Sequence, residues 1–210
     1  MADPDEPPTI NDQDGLRSVY GEPLDLAVAI VRDHLDAHHV RFIQHSPFLC
    51  LSSVDRDGFP TVSPKGDAPG FVQVLDEHTL VIPDRPGNNK IETLQNLLHS
   101  PQVGMILFVP GYKETLRIQG TARISRDEAM RERGRVGDKL PVTALVVSVT
   151  QAFIHCGKST TRSKLWDASQ HVEPGTLPSF GQIVKDQVGL DSPVEEIQGA
   201  IDTAYETKLY

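Results

Sequence analysis

Two short segments carry the residue types that a phosphate monoester requires. In Thr61-Val-Ser-Pro-Lys-Gly-Asp67 the hydroxyl of Ser63, the ammonium of Lys65 and the backbone around Pro64 and Gly66 meet at one strand end. About two dozen residues on, Arg85-Pro-Gly-Asn-Asn-Lys90 runs from a strand into a helix start, bringing the amides of Asn88 and Asn89 and the cation of Lys90. A terminal phosphoryl group is held by backbone N–H groups at a helix N-terminus, by neutral donors and by one or two cations. Each segment alone has a plainer account, because an Asn pair before a helix is usually a cap and a strand-end Lys is usually solvated. The functional expectation is that the two converge.

A third stretch, Phe153-Ile-His-Cys-Gly-Lys-Ser-Thr-Thr-Arg-Ser-Lys-Leu-Trp166, ends a long strand in a basic segment, in a chain of net charge −9. Lys158 and Arg162 could face a phosphate or an anionic substrate, with Trp166 as a flat wall beside a ring. A solvated basic turn with Trp166 as a core anchor is the bland alternative. His34, His38 and His39 include the i, i+4 spacing of a metal pair. No Glu follows His34 and no third ligand is evident, so exposed helix histidines are expected and no metal is assigned. His155 and Cys156 are strand neighbours that point to opposite faces, which argues against a catalytic pair. The catalytic residue is unknown: no side chain stands out as a general acid or base.

The elements that must position these groups follow from periodicity. Leu24, Val28, Val31 and Leu35 predict one amphipathic helix ending near His38. Residues 48–54 form a strand, 55–58 a hairpin turn, and 61–63 begin the return strand. Residues 71–75 and 79–82 make a second strand pair, 89–98 a short helix with Ile91, Leu94, Leu97 and Leu98 on one side. Strands follow over 103–109, 115–124 and 143–155, then a loop-rich stretch over 157–178 and helices over 180–188 and 193–204. The fold class is mainly β with helices (α+β), an antiparallel barrel with helical plugs. Residues 1–23 are a flexible lead-in, 24–156 the barrel, and 157–210 a C-terminal loop and helices completing the site or dimer.

Composition narrows the partners. The charge of −9 opposes a nucleic-acid groove. Cys50 and Cys156 lie in apolar runs and read as small buried side chains rather than a disulfide. The acidic, Pro-rich start has no signal-peptide pattern, and no apolar run has the roughly 20 residues of a membrane helix. A cytoplasmic protein with reduced thiols is expected.

The order from Phe42 to Thr150 is specific: a strand, a turn with Gly58, a strand ending in Lys65-Gly66, a hairpin, and an Asn-Lys-x-x-x-Leu helix. Ser100-Pro101, an apolar strand, a turn and the strand Leu116-Arg-Ile-Gln-Gly120 complete it. This resembles the pyridoxamine 5'-phosphate oxidase-like family of FMN-binding split barrels, nearest a bacterial branch with Ser-Pro-(Arg/Lys)-Gly-Asp and Pro-Asp-Arg-Pro-Gly-Asn-Asn segments. The resemblance implies an antiparallel split β-barrel that binds FMN, with Lys65 and Lys90 on the phosphate and Ser63 and Asn89 as neutral donors beside them. Asn89 stands where the oxidases proper usually have an arginine. Backbone donors around residues 64–66 would face the flavin ring. Arg117 and Gln119, on one face of their strand by the period of two, would pass the flavin of a partner subunit. A homodimer and an FMN-dependent oxidoreductase of unknown substrate are thereby implied. The alternative is a non-catalytic module for flavin, haem or deazaflavin. The end of the chain, residues 202–210, lacks the Arg-rich, Trp-containing segment of the oxidases proper, so oxidation of pyridoxine phosphate is not the expected reaction.

Overall fold

The computed structural model describes residues 9–210; the first eight residues of the expected lead-in lie outside the described residues. Residues 9–31 form one unit and residues 32–210 another. The first contains α1 (Gln13–Tyr20) and α2 (Asp25–Ala29), neither of which buries a residue. Part of the expected lead-in is therefore helical, with Asp12 capping α1 through the backbone N–H of Gly15.

The second unit is built on a seven-stranded sheet. In chain order the strands are β1 (Phe48–Val54), β2 (Pro60–Gly66), β3 (Gln73–Asp76), β4 (Thr79–Pro83), β5 (Gln102–Phe108), β6 (Thr115–Ser125) and β7 (Ala144–His155). Their spatial order is β2-β1-β5-β6-β7-β4-β3, every pairing is antiparallel, and the sheet stays open between β2 and β3. Alternation sets the core face: Leu49 and Leu51 of β1, Val103, Met105 and Leu107 of β5, and Leu116 and Ile118 of β6 are buried. Full burial of each such side chain stabilises the fold by roughly 1.5–3 kcal/mol. The first hairpin turns at Gly58, where φ is +89°. Between Gln119 and Gly120 the β6–β7 register shifts, leaving Thr150 as the extra residue. A Cβ on Gly120 would sit 2.1 Å from the Ser148 carbonyl oxygen, so the bulge requires glycine.

The helix expected over residues 24–38 is instead two elements, α2 and α3 (Ala37–His45). Asp36 stops continuation because its carboxylate accepts from the backbone of His38 and His39 while His39 Nδ1 accepts from the Asp36 N–H. α3 plugs the barrel with Phe42 and Ile43. His39 is buried rather than exposed as expected, and burial holds its pKa down against the pull of Asp36. Cys50 is half-buried and Cys156, just beyond β7, is exposed, so the expectation of two buried thiols fails.

The remaining helices are α4 (Glu92–Leu97), α5 (Glu128–Glu132), α6 (Lys158–Arg162), α7 (Phe180–Val188) and α8 (Val194–Thr207). α6 lies where only loop was expected. No helix of the described residues is long and apolar enough to cross a membrane.

Candidate functional site

β2 lies at one edge of the sheet, and its alternation decides what faces the opening. Thr61, Ser63 and Lys65 turn half-buried toward the core side, while Pro64 and Gly66 turn outward. α4 docks on these residues with a polar face. The Asn96 side-chain amide donates to Ser53 Oγ (2.9 Å) and Thr61 Oγ1 (2.9 Å), and the Thr93 hydroxyl donates to Ser63 Oγ (3.0 Å). Thr93 and Asn96 are buried; of the four residues expected on the apolar side, Leu94 and Leu97 pack half-buried against the core, whereas Ile91 and Leu98 are exposed. Satisfied buried polar groups of this kind fix one docking geometry.

This docking brings the two phosphate-suited segments together. Ser63, Pro64, Lys65, Gly66, Asn88, Asn89 and Lys90 all line one cleft of about 1020 Å³, together with Asp84, Arg85, Thr143 and Tyr210. That volume stands at the upper end of the roughly 300–1,000 Å³ of ligand sites. Asn88 Oδ1 accepts from the Lys90 N–H (3.0 Å), and both Asn89 (φ +59°) and Ile91 (φ +47°) adopt left-handed backbone. For Ile91 this conformation is an outlier of a kind that clusters in ligand-binding segments.

The helix start does not act as expected. α4 begins only at Glu92, has six residues, and carries no side-chain cap. Glu92 also puts a carboxylate in its first turn, so the positive potential for an anion comes from side chains. Lys65 Nζ stands 4.0 Å from Asp84 Oδ1. Burial pushes the Lys65 pKa down, with Asp84 opposing, and burial pushes the Asp84 carboxyl up, with Lys65 and Thr143 opposing. Both shifts favour neutral forms, the mark of a buried pair too loosely engaged to repay desolvation. The Thr143 hydroxyl beside Asp84 is buried and makes no hydrogen bond of good geometry. Lys90 is exposed and makes no ion pair among the described residues. Lys139 also lines the cleft, exposed and without an ion pair among the described residues, so besides the paired Arg85 the cleft holds a half-engaged Lys65, the unpaired Lys90 and Lys139, and the Thr143 hydroxyl.

Arg85, Asp67 and Tyr210 form the neighbouring wall, which the sequence reading did not single out. Arg85 Nε donates to Asp67 Oδ2 (2.5 Å) and Arg85 Nη1 to the Gly134 carbonyl (2.6 Å). The Tyr210 hydroxyl donates to Asp67 Oδ1 (2.7 Å), and the Arg85 guanidinium lies 5.1 Å from the Tyr210 ring centre. Burial raises the Asp67 pKa, but hydrogen bonds from Tyr210, Ala68 and Arg85 outweigh it and hold the carboxyl below its ordinary value. No local sequence signal joins these residues, because Tyr210 is 143 positions from Asp67.

The other singled-out residues lie elsewhere. Arg117 and Gln119 share the outward face of β6, opposite the buried Leu116 and Ile118, and neither lines the cleft of their own chain. The register runs Pro64, Cys50, Ile106, Arg117, Phe153 across β2, β1, β5, β6 and β7. Arg117 is therefore three strands, roughly 14 Å along the sheet, from Pro64. Its guanidinium lies 5.2 Å from the Phe153 ring centre. Lys158 and Arg162 are exposed on or beside α6 and also lie outside the cleft. Trp166 is 37% exposed and donates from Nε1 to the Tyr112 carbonyl (2.8 Å), which makes it a partial anchor on the β5–β6 turn.

No curated protein matches the chain. Among solved structures, HupZ of Group A Streptococcus is 18% identical over 59% of this chain and 98% of its own, with a TM-score of 0.47. A Clostridium acetobutylicum protein related to general stress protein 26 of B. subtilis, of the pyridoxinephosphate oxidase family, is 12% identical over 58% and 91%, with a TM-score of 0.44. An F420 reductase is 17% identical over 57% and 98%, with a TM-score of 0.41. Likenesses at this level carry no weight for function. The family model described as pyridoxamine 5'-phosphate oxidase matches residues 35–156, more than half the chain, from the first buried core residue to just past β7. The open antiparallel sheet and that match agree, and the chain belongs to the pyridoxamine 5'-phosphate oxidase family of split barrels.

Proposed function

We propose that this chain is an FMN-binding flavoprotein that works as an FMN-dependent oxidoreductase. The observation that carries the reading is the convergence of residues 63–66 and 88–90 on one cleft, where Lys65 is half-engaged and Lys90 unpaired. A phosphate dianion answers both, since a charge-assisted hydrogen bond to Lys65 offsets its desolvation and Lys90 gains a partner. Ser63 and Asn89 add neutral donors beside them. In this reading Asp84 sets how much of the Lys65 charge is available, and α4, held by Asn96 and Thr93, keeps the two segments in place. Bound FMN supplies hydride or electron acceptance, and the protein's part is to orient it and shield it from water.

The proposed assembly is a homodimer, located in the cytoplasm. Supporting it, Phe48, Phe108, Ile106 and Phe153 share the outward face with Arg117, and Phe48 is 39% exposed. An apolar sheet face rimmed by an arginine has the composition of an interface. In such a dimer Arg117 and Gln119, with Lys158, Arg162 and Trp166 beyond them, serve the cleft of the other chain. The test is the visible absorbance of purified protein, with an oxidised-flavin spectrum expected. Lys90→Ala should lose it while keeping the fold, and full flavin occupancy in that variant contradicts the reading. Reduction by NADH or NADPH followed by reoxidation separates an enzyme from a binding module without turnover, and a Soret band marks haem in place of flavin.

A further inference from the structure

The wall formed by Asp67, Arg85 and Tyr210 has features that a structural ion pair does not need. The Asp67 side chain is 3% exposed, and its oxygens accept from the Arg85 Nε, the Ala68 N–H and the Tyr210 hydroxyl. Arg85 is fixed along its edge by Asp67 and Gly134, lines the cleft, and has its guanidinium carbon over the Tyr210 ring, 5.1 Å from the ring centre. A guanidinium clamped in this way is a stacking platform for a planar ring.

The occupant of that platform is weakly held. Tyr210 follows α8, a helix that buries no residue, and is itself 41% exposed. α7 and α8 bond chiefly to each other, for instance from the Gly181 N–H to Gln198 Oε1. Among the described residues, the bond from Tyr210 to Asp67 is the one hydrogen bond joining residues 180–210 to the chain before Ser179. The tail also lies outside the part of the chain that matches the family.

We propose that Asp67 and Arg85 form a subsite for a planar aromatic ring with an N–H or O–H donor on its edge, and that Tyr210 is its displaceable internal occupant. The phenol supplies what such a ligand supplies: a flat face for the guanidinium and a donor for a carboxylate that only accepts. Arrival of the ligand ring moves the Tyr210 side chain out, and the α7–α8 hairpin loses its one hydrogen-bonded tie to the barrel. The subsite takes from the flavin reading only that the cleft is a ligand site.

The test uses the full chain and two separate probes. Lumichrome carries a three-ring flavin headgroup with N–H donors and no phosphate, and inorganic phosphate carries no ring. Titration of each, by fluorescence quenching and calorimetry, compares the unmodified protein with Tyr210→Ala and Tyr210→Phe. Removing the occupant should tighten lumichrome about tenfold, the equivalent of about 1.4 kcal/mol. Tyr210→Phe, which keeps the ring and loses the hydroxyl, should fall between, and phosphate affinity should not change. Lumichrome that binds Tyr210→Ala no more tightly than the unmodified protein, or binds neither, overturns the subsite. Phosphate that binds no variant while lumichrome tightens leaves the subsite standing and removes the phosphate reading instead.

Discussion

The residues of the cleft and those at the end of the β6–β7 ribbon carry the same chemical types, cations beside hydroxyls, amides or an aromatic ring, yet the fold treats them differently. Around β2 and α4, buried hydroxyl and amide contacts hold Thr61 and Ser63 inward, alternation puts Lys65 on the same face, and residues 88–90 line the same cleft. Along β6 the core side chains take the inner face, so Arg117 and Gln119 must point outward. Strand parity made one group a cleft and the other a surface. In the proposed dimer, that surface of cations and apolar rings is what one chain offers to the cleft of the other.

The largest test of that division is the bulge that sets the β6–β7 register. Gly120→Ala forces a Cβ into the Ser148 carbonyl, and we expect a loss of about 3 kcal/mol in urea unfolding. Next, Lys90→Ala should weaken FMN binding by about 10- to 100-fold with an unchanged melting temperature, the range for removing a charged hydrogen bond. Arg117→Ala should also weaken it, although Arg117 is absent from its own cleft. Mixing Lys90→Ala and Arg117→Ala chains sharpens the comparison. If the two regions meet across a dimer, random reassortment restores roughly a quarter of the sites, since each mixed dimer holds one intact site. No recovery would place both regions in one chain's site or deny Arg117 a role.

A smaller effect concerns Asp84, whose pKa is raised by burial. As pH falls toward that raised value the carboxylate is neutralised and Lys65 is released, so sulfate affinity, measured by calorimetry, should rise severalfold. Asp84→Asn should bind sulfate tightly throughout and flatten the dependence. Smallest is the acid response of the wall. Asp67 ionises below its ordinary value in the fold, so its stabilisation is full above the ordinary carboxylate range and is lost as pH falls through the folded pKa. Asp67→Asn should remove about 1 kcal/mol at neutral pH and nearly nothing in strong acid, read from unfolding curves at each pH.

Much of this was legible in sequence where a regular period operates. The strands of the barrel, the Asp55–Gly58 turn region and α7 lie where alternation and caps place them. The cleft residues were legible because their chemistry is local to two short segments. The rest failed for physical reasons. Asp36 caps α3 through His39, a reciprocal pair without the usual Glu or Gln, so the apolar spacing read straight through the break. α4 packs Leu94 and Leu97 against the core as the apolar spacing expects, but its most buried residues are Thr93 and Asn96, which pack on hydroxyls and which no apolar pattern could mark. Asp67 and Arg85 end and begin the two segments expected to converge, but Tyr210 joins them only through the tertiary fold, and no spacing announces it.

The central claim is that Lys65 and Lys90 answer a phosphate, and the comparison of FMN with riboflavin tests it most directly. The two share the ring and differ in the phosphate alone. The account predicts that FMN binds the unmodified protein at least tenfold more tightly, about 1.4 kcal/mol, and that the preference largely disappears in Lys90→Ala. Equal affinities for the two ligands in the unmodified protein would contradict it.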